Sequence, residues 1–176
     1  VPCRQTSPEQ LARAISQAKN DLITYQEFAD QAHGVLGKIV SEIYPPYQQR
    51  LLACNAVDFD DLLLLVAGIL RDHPELRESL DERYRYILVD EYQDTNRAQY
   101  CIVRALSVKH PNLAVTGDPD QSIYGWRGAS LDNILDFEKD FPNAHVVRLE
   151  MNYRSTKRIL HVADSLIANN KRRLEK

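Results

Sequence analysis

Residues 86–96 read YILVDEYQDTN, and this stretch decides how the rest of the chain is interpreted. An Ile-Leu-Val run at 87–89 has no polar interruption, and Asp90 and Glu91 follow it at once. So short an apolar run, ending abruptly in acids, is typical of a buried strand in a parallel sheet rather than of a helix. We therefore expect an α/β fold built on a parallel sheet.

Asp90 and Glu91 are candidates for a ligand site, because open α/β sheets bind ligands at the carboxyl ends of their strands. Two adjacent carboxylates there suit a Mg²⁺ ion that carries phosphates, with one acid left to orient a water molecule. The same pair could instead be surface acids that end a strand before a turn. The residues alone leave both interpretations open.

The composition is that of an ordinary globular protein: 176 residues, 44% hydrophobic and 27% charged, with a formal net charge of −3. A nucleic-acid site would therefore be a local patch, since the chain as a whole is not basic. Cys3, Cys54 and Cys101 are odd in number and widely spaced, which favours a reducing compartment over a disulfide framework or zinc site. No apolar run approaches the roughly 20 residues that cross a membrane, so we expect a cytoplasmic protein with no membrane partner.

The first part of the chain is predicted to be helical. The sequence SPEQ at 7–10 is a capping box with proline at the first helical position. A second box at 24–27 is expected to start the next helix. The prolines at 45–46 should stop or bend a third helix that begins near Val35 or Ser41.

The acidic sequence DFDD at 58–61 is predicted to open a further helix, which the His-Pro pair at 73–74 ends. Residues 62–70 are apolar nearly all round, which predicts a buried helix. Asp60 and Asp61 are expected to be solvated acids of the first turn, where they favour the positive end of the helix dipole. A metal site is the alternative interpretation of this acidic cluster.

Predicted strands alternate with predicted helices in the second half of the chain. The further elements are a helix capped by Thr95 or Asn96, a strand over 113–116, a helix over 131–141, a strand over 145–149 and a helix capped by Ser155. This alternation predicts βαβ units, and hence a parallel sheet with helices on both faces.

The loop after the second predicted strand, GDPDQSIYGWRGA at 117–129, carries several chemically useful side chains. Gln121 can both donate and accept, so beside a phosphate it could hold an attacking water and sense the terminal phosphoryl group. Tyr124 and Trp126 stand two apart in a loop expected to be extended, which puts both rings on one side as a stacking platform for unpaired bases. Arg127 adds a phosphate or cation–π contact. The alternative is that Trp126 anchors the loop in a core. The residue types alone favour this alternative over the stacking platform.

The third predicted strand leads into LEMNYRST at 149–156. Tyr153 can stack on an aromatic base, and Arg154 offers a rigid fork to a phosphoryl group. A surface arginine and a half-buried tyrosine before a helix are the alternative. Because three such loops would leave one edge of one sheet, we expect them to meet along one rim.

These segments, in this order, resemble the motifs of superfamily 1 DNA helicases of the UvrD/Rep/PcrA type. LVDEYQDTN at 88–96 resembles their Walker B motif, DPDQSIYGWRGA at 118–129 their third motif and LEMNYRST at 149–156 their fourth. DFDDLL at 58–63 is similar to the segment that returns from the inserted helical subdomain. The resemblance covers nearly the whole chain and implies a partial RecA-like (P-loop NTPase) fold.

The resemblance also implies ATP and Mg²⁺ as cofactors, with roles for particular residues. Asp90, with Glu91 beside it, would form the metal site, and Glu91 would be the base for the attacking water. Gln121 would sense the γ-phosphate and Arg154 would contact it, while Tyr153 would stack on adenine.

The same resemblance implies contacts to DNA. Tyr124, Trp126 and Arg127 would touch single-stranded DNA, and single/double-strand junctions are the expected substrates. Tyr92 stands where many relatives have phenylalanine, a change expected to matter little.

No stretch matches the phosphate loop G-x-x-x-x-G-K-[ST]. The chain is therefore expected to be an internal piece of a longer protein, with 1–57 in the helical insertion and 58–176 forming the C-terminal half of the first RecA-like motor domain. The piece alone is expected to lack ATPase activity, because nothing in it replaces the amides and lysine of that loop.

The expected function of the parent protein is ATP-driven translocation on single-stranded DNA with duplex unwinding, in repair or replication. One alternative is a non-catalytic nucleic-acid-binding or partner-binding module that keeps a helicase-like sheet. Another is the motor part of a helicase–nuclease.

Overall fold

The computed structural model describes residues 6–170, which form a mainly helical chain with a small parallel sheet. The helices are α1 (Pro8–Asn20), α2 (Phe28–Gln31), α3 (Gly34–Ala53), α4 (Phe59–Asp72), α5 (Pro74–Arg83), α6 (Arg97–Ala105), α7 (Asp132–Leu135), α8 (Phe137–Asp140) and α9 (Lys157–Ile167). The strands are β1 (Ile87–Val89) and β2 (Leu113–Val115), and 3-10 turns occupy Tyr92–Asp94, Pro119–Gln121 and Gly125–Arg127.

Capping boxes start α1, α4 and α6. The cap residues are Ser7, Asp58 and Asn96, and each accepts a hydrogen bond from the amide of the third helical residue, whose own side chain accepts one from the cap amide. The predicted starts of α1 and α4 are thus confirmed, and Asn96 rather than Thr95 caps α6. Because each box closes within four residues, these helix starts are a property of the local sequence.

β1 and β2 pair in parallel, with Ile87 opposite Leu113 and Val89 opposite Val115. The parallel pairing predicted from the two apolar runs is confirmed. Beyond β2 the amide of Thr116 donates to the carbonyl of Val89 over 2.8 Å. The loops that follow the two strands therefore leave the same edge of the sheet.

The strand predicted over 145–149 does not form. Within residues 6–170 the sheet contains β1 and β2 alone, and residues 143–152 have no regular structure. Val146, Val147 and Leu149 are all exposed. A β-prone run gains ladder hydrogen bonds and burial only from neighbours, and none of the described residues supplies a partner strand here.

The prolines at 45–46 do not stop the third helix, since α3 runs through both. Each proline removes one amide donor. Tyr44 before them is buried in the helical core, and Gln48 beyond them donates to the carboxylate of Asp61. These contacts on either side hold the two halves of α3 in one helix.

Two other predicted helices are shorter than expected. Thr24 and Glu27 exchange the hydrogen bonds of the second capping box, but α2 after it lasts only four residues. Gly34 then takes a left-handed conformation, φ +69°, which redirects the chain into α3. The helix predicted over 131–141 is divided into α7 and α8 by Asp136, which leaves the helical conformation.

The helical core is built from Ile15, Ala18, Val40 and Tyr44, contributed by α1 and α3. The prediction that α4 is buried nearly all round is wrong. Of its apolar residues only Ala67 and Leu70 are buried, whereas Leu62, Leu65, Val66 and Ile69 are exposed. The helix packs mainly against α1, α5 and α6, which cover one stripe of its surface.

A buried ion pair joins α1 to α4. Lys19 is fully buried, and its Nζ lies 2.6 Å from Asp58 Oδ2 and 2.8 Å from Asp61 Oδ1. Gln48 Nε2 donates to both oxygens of Asp61, and the Tyr47 hydroxyl donates to Asp58 over 2.9 Å. Burial opposes the ionisation of Asp58, but the hydrogen bonds from Lys19, the Asp61 amide and Tyr47 outweigh it and lower the pKa of Asp58.

This ion pair corrects two expectations about the acidic cluster. Asp61 is a buried counter-ion rather than a solvated acid, and Asp60 accepts a hydrogen bond from Asn20 over 3.0 Å. The cation between Asp58 and Asp61 is the ammonium of Lys19, so the alternative of a metal site there is not supported.

Two further observations concern the composition. Among residues 6–170 no helix combines the length and apolar character that crossing a bilayer requires. Cys54 and Cys101 are free thiols, and Cys3 lies outside the described residues.

We predict that Lys19→Met lowers the free energy of unfolding by about 3–5 kcal/mol, because Asp61 then stays buried without its counter-ion. Urea denaturation at neutral pH measures the change. Lys139→Met breaks an exposed ion pair with Asp136 and, as the control, should not move the midpoint. A Lys19→Met protein as stable as the unmodified chain would contradict the prediction.

Candidate nucleotide and nucleic-acid site

Asp90 directly follows β1, and its carboxylate is exposed. Oδ1 accepts hydrogen bonds from the Thr116 hydroxyl and, over 3.0 Å, from the amide of Glu91. The Thr116 hydrogen bond is the main reason that the pKa of Asp90 lies below its usual range, with the Glu91 amide second. Asp90 is therefore a fixed, ionised carboxylate at neutral pH.

Glu91 takes a left-handed backbone conformation, with φ 51° and ψ 44°. Such a conformation is uncommon for a residue other than glycine and recurs at functional sites. It turns the chain sharply from β1 into the 3-10 turn that follows. Oε2 of Glu91 accepts a hydrogen bond of 2.7 Å from Gln93 Nε2, so the carboxylate is held rather than free.

Residues 90–96, between β1 and α6, form a segment that we name the acidic loop. Gln93 joins this acidic loop to the loop after β2. Its Nε2 donates to Glu91, and its Oε1 accepts a 3.1 Å hydrogen bond from the amide of Asp118. The Gln93 carbonyl accepts a further bond from the Ser122 hydroxyl over 3.2 Å. The two loops are therefore in direct contact, as the parallel sheet predicts.

Gly117 permits this close approach. A Cβ at this position would lie 2.5 Å from Gln93 Oε1, 2.9 Å from Ile134 Cδ1 and 3.2 Å from the amide nitrogen of Tyr92. No real Cβ contact is as short as the first of these. Any residue with a Cβ would therefore force the side chains of Gln93 and Ile134 to shift.

Gln121 ends the 3-10 turn in the second loop and is exposed. Its Nε2 donates to Asp118 Oδ2 over 3.0 Å, and its amide donates to the Asp118 carbonyl over 2.9 Å. Because Asp118 is bonded to Gln93, the loops that carry Asp90, Glu91 and Gln121 form one connected group at the end of the sheet.

Tyr124, Trp126 and Arg127 form a cluster that we name the aromatic loop. The chain makes a 3-10 turn there, so the predicted extended conformation is wrong. The two ring centres are nevertheless 6.3 Å apart, and the Arg127 guanidinium lies 4.6 Å from the Trp126 ring centre and 5.5 Å from that of Tyr124. Trp126 is 72% exposed, which contradicts the alternative that it anchors a core.

The aromatic loop is tied to the end of the acidic loop by backbone contacts. Asn96 forms an antiparallel bridge with Ala129, and the amide of Ser130 donates to the Thr95 carbonyl over 2.9 Å. The side chain of Asn133 donates to the same carbonyl over 3.0 Å. The segment between Gly117 and these contacts is thus fixed at both ends.

Tyr153 and Arg154 make no side-chain contact with the other candidates among residues 6–170. Tyr153 is 93% exposed and Arg154 is also exposed, and within residues 6–170 neither side chain forms a hydrogen bond or ion pair. Asn152 Oδ1 accepts bonds from the amides of Arg154 and Ser155, both 2.9 Å, in the turn before α9, whose cap is Thr156 rather than Ser155. Contacts between the expected loops are observed for two of the three, and the strand expected before the third loop is not formed among residues 6–170.

The sequence was compared with known protein families. The UvrD/REP helicase N-terminal domain matches residues 2–142, most of the chain. The chain belongs to this family.

Individual members of the family extend the match to the whole chain. The chain is 49% identical over 173 residues to the ATP-dependent DNA helicase PcrA of Bacillus subtilis (strain 168), and 47% identical over 172 residues to PcrA of Leuconostoc citreum. It is 45% identical to PcrA of Staphylococcus aureus (strain Mu50 / ATCC 700699) over all 176 residues. The matches cover 98–100% of this chain but only 23–24% of those relatives, so it spans about a quarter of their length.

The site residues that the sequence did not reveal are Gln93, Thr116 and Gly117. Gln93 lies inside the acidic segment, but nothing in its spacing indicates a partner in another loop. Gly117, at the end of a predicted strand, was a detectable signal, because glycine in that place often marks a close backbone approach.

The carboxylates of Asp90 and Glu91 are the candidate ligands for Mg²⁺. Among residues 6–170 there is no group of three or more His, Cys, Asp or Glu side chains that could form a complete metal cage. Mg²⁺ usually keeps several waters and binds through one or two carboxylates and the substrate phosphates. The exposed, ionised carboxylate of Asp90, with Glu91 next to it, fits that kind of partial site.

Tyr92 belongs to the acidic loop and carries a buried hydroxyl that has no hydrogen-bond partner among the described residues. Its ring packs edge-to-face on Phe137 at 5.5 Å. Burial raises its pKa to about 12, with further contributions from Tyr100 and Asp140.

We predict that Tyr92→Phe keeps the ring packing and raises the free energy of unfolding by about 1 kcal/mol, because it removes an unsatisfied buried polar group. Tyr100→Phe is the matched control and should destabilise, since the Tyr100 hydroxyl donates to Asp140 over 2.8 Å. Thermal and urea denaturation of both variants measure the difference. A clear loss of stability in Tyr92→Phe would show that its hydroxyl is satisfied.

Proposed function

We propose that this chain is part of an ATP-dependent DNA helicase, which couples ATP hydrolysis to translocation on single-stranded DNA and to duplex unwinding. Membership of the UvrD/REP family and the similarity to PcrA proteins support the proposal. The observation that carries it is the contact between the acidic loop and the Gln121 loop at the carboxyl ends of two parallel strands. Open α/β sheets bind their ligands at that edge.

In this proposal Asp90 and Glu91 serve the nucleotide. Mg²⁺ would neutralise charge on the phosphates of ATP. Asp90 would hold that ion through its exposed carboxylate, which accepts hydrogen bonds from Thr116 and the Glu91 amide and is thereby kept ionised and oriented. Glu91 accepts the proton of the attacking water, and its left-handed backbone turns it away from the line of β1.

Gln121, Tyr153 and Arg154 complete the proposed nucleotide site. Gln121 senses the γ-phosphate, and its exposed position on the turn after β2 supports that role. Arg154 contacts the γ-phosphate as a rigid, charged fork, and Tyr153 stacks on adenine. The exposure of both side chains leaves them accessible to a nucleotide.

The aromatic loop serves DNA in this proposal. Tyr124 and Trp126 stack on unpaired bases, and Arg127 lies beside a backbone phosphate. The exposure of Trp126 and the proximity of the Arg127 guanidinium to both rings support this role. Single-stranded DNA and single/double-strand junctions are the proposed substrates, and the proposed location of the parent protein is the cytoplasm.

We also propose a place for the chain in its parent. The two-stranded parallel sheet would belong to a larger RecA-like sheet with helices on both faces. Residues 58–176 would then be the C-terminal half of the first motor domain, and residues 1–57 part of a helical insertion. The parallel pairing of β1 with β2 across α6 supports this placement.

We predict that Glu91→Gln in the full-length protein lowers the kcat of DNA-stimulated ATP hydrolysis by about 100-fold or more, as loss of a general base does. ATP binding should be retained, because the amide has nearly the shape of the acid. A steady-state ATPase assay and nucleotide binding by calorimetry measure the two effects. Glu138→Gln, which changes an exposed acid on α8, is the control; retained turnover in Glu91→Gln would remove the base role.

We predict that Trp126→Ala weakens single-stranded DNA binding by about 1–3 kcal/mol, the typical value of one base–aromatic stack. Fluorescence anisotropy with a labelled oligonucleotide measures the affinity, and DNA stimulation of ATP hydrolysis should fall with it. Trp126→Phe keeps an aromatic face and should lose less. Unchanged affinity in Trp126→Ala would exclude Trp126 from the DNA site.

A further inference from the structure

We propose that Gln93 is a positioning residue that holds the Glu91 carboxylate and links it to the turn that carries Gln121. The inference rests on the proposed function, because it assigns Gln93 a part in the same reaction. It adds a physical connection between the residue that senses the terminal phosphate and the residue that activates water.

Both ends of the Gln93 amide are engaged, which determines how the amide is oriented. Its Nε2 donates to Glu91 Oε2 over 2.7 Å and lies 3.4 Å from Asp94 Oδ2, while its Oε1 accepts from the Asp118 amide over 3.1 Å. A flipped amide would place its oxygen against two carboxylates and its amino group against an N–H donor. Gln93 therefore has one favourable orientation.

The Gln93 side chain also has almost no room to move. It is 1% exposed, so water has little access to replace either hydrogen bond. The Cα of Gly117 approaches so closely that an added Cβ would lie 2.5 Å from Gln93 Oε1. The Ser122 hydroxyl holds the Gln93 backbone carbonyl as well. The side chain is clamped between Glu91 on one side and the second loop on the other.

Gln93 completes a continuous chain of hydrogen bonds from Gln121, the proposed phosphate sensor, to Glu91, the proposed base. Gln121 is bonded to Asp118 through both its side chain and its amide, so these two residues move as one turn. The Asp118 amide is bonded to Gln93, and Gln93 is bonded to Glu91. A displacement of Gln121 is therefore transmitted to the Glu91 carboxylate through three hydrogen bonds, the second of which is donated by the backbone amide of Asp118.

Two variants of the full-length protein separate the two ends of the amide. Gln93→Met has similar length but can neither donate to Glu91 nor accept from Asp118. Gln93→Glu keeps an acceptor for the Asp118 amide but replaces the donor that faces Glu91 by a carboxylate oxygen. Gln49→Met, at an exposed glutamine on α3, is the control for the substitution itself.

The first measurement is steady-state ATP hydrolysis with saturating single-stranded DNA. Both Gln93 variants should lose roughly 10- to 100-fold in kcat, the scale of a misplaced catalytic group. KM for ATP and the affinity for single-stranded DNA should stay within about twofold, because Gln93 touches neither ligand. A merely structural role would instead change kcat, KM and the affinity for DNA together.

The second measurement is hydrogen exchange by mass spectrometry on a peptide that covers Asp118. Gln93→Met should exchange the Asp118 amide faster, whereas Gln93→Glu should keep it protected. The melting temperature of Gln93→Glu should fall, because its carboxylate faces those of Glu91 and Asp94. Gln93→Glu therefore tests the link to Glu91 with the Asp118 contact still in place. Normal kcat in a folded Gln93→Glu protein would overturn the proposal.

The outcome for Glu91→Gln separates this inference from the proposed function. Loss of turnover in Glu91→Gln together with normal turnover in both Gln93 variants would overturn the positioning role alone. Retained turnover in Glu91→Gln would overturn the base assignment, whatever the Gln93 variants do.

Discussion

The buried ammonium of Lys19 is the interaction on which the arrangement of the chain depends. A charge without water is costly unless its partners are close and well placed, so Asp58 and Asp61 must meet it whenever α1 packs on α4. The next residue, Asn20, donates to Asp60 and accepts from Asn96, the cap of α6. One turn of α1 thereby positions both α4 and the helix that follows the acidic loop.

Much of the fold could be predicted because much of it is decided locally. The capping boxes at Ser7 and Asp58 close within four residues, and the runs that form β1 and β2 are apolar and abruptly ended. The errors concern elements decided by distant neighbours. Residues 145–149 have strand composition but no partner strand among the described residues, and α3 continues through the prolines at 45–46 because Tyr44 and Gln48 are held by α1 and α4.

The same distinction applies to the candidate site. Parallel strands place the ends of β1 and β2 side by side, so the proximity of Asp90, Glu91 and the Gln121 loop followed from the strand prediction. The part played by Gln93 did not, because its acceptor bond reaches Asp118, a residue in another loop. The exposure of Trp126 was likewise not predicted, because the residue types alone favour a core anchor for a tryptophan in such a loop.

Trp126 has one more physical consequence, which comes from the composition. It is the single tryptophan of these 176 residues, so their indole emission originates wholly in the aromatic loop. The ring is open to solvent and lies beside a guanidinium, a setting in which its fluorescence responds to whatever covers it. The chain thus contains its own optical reporter, placed at the surface proposed to meet DNA.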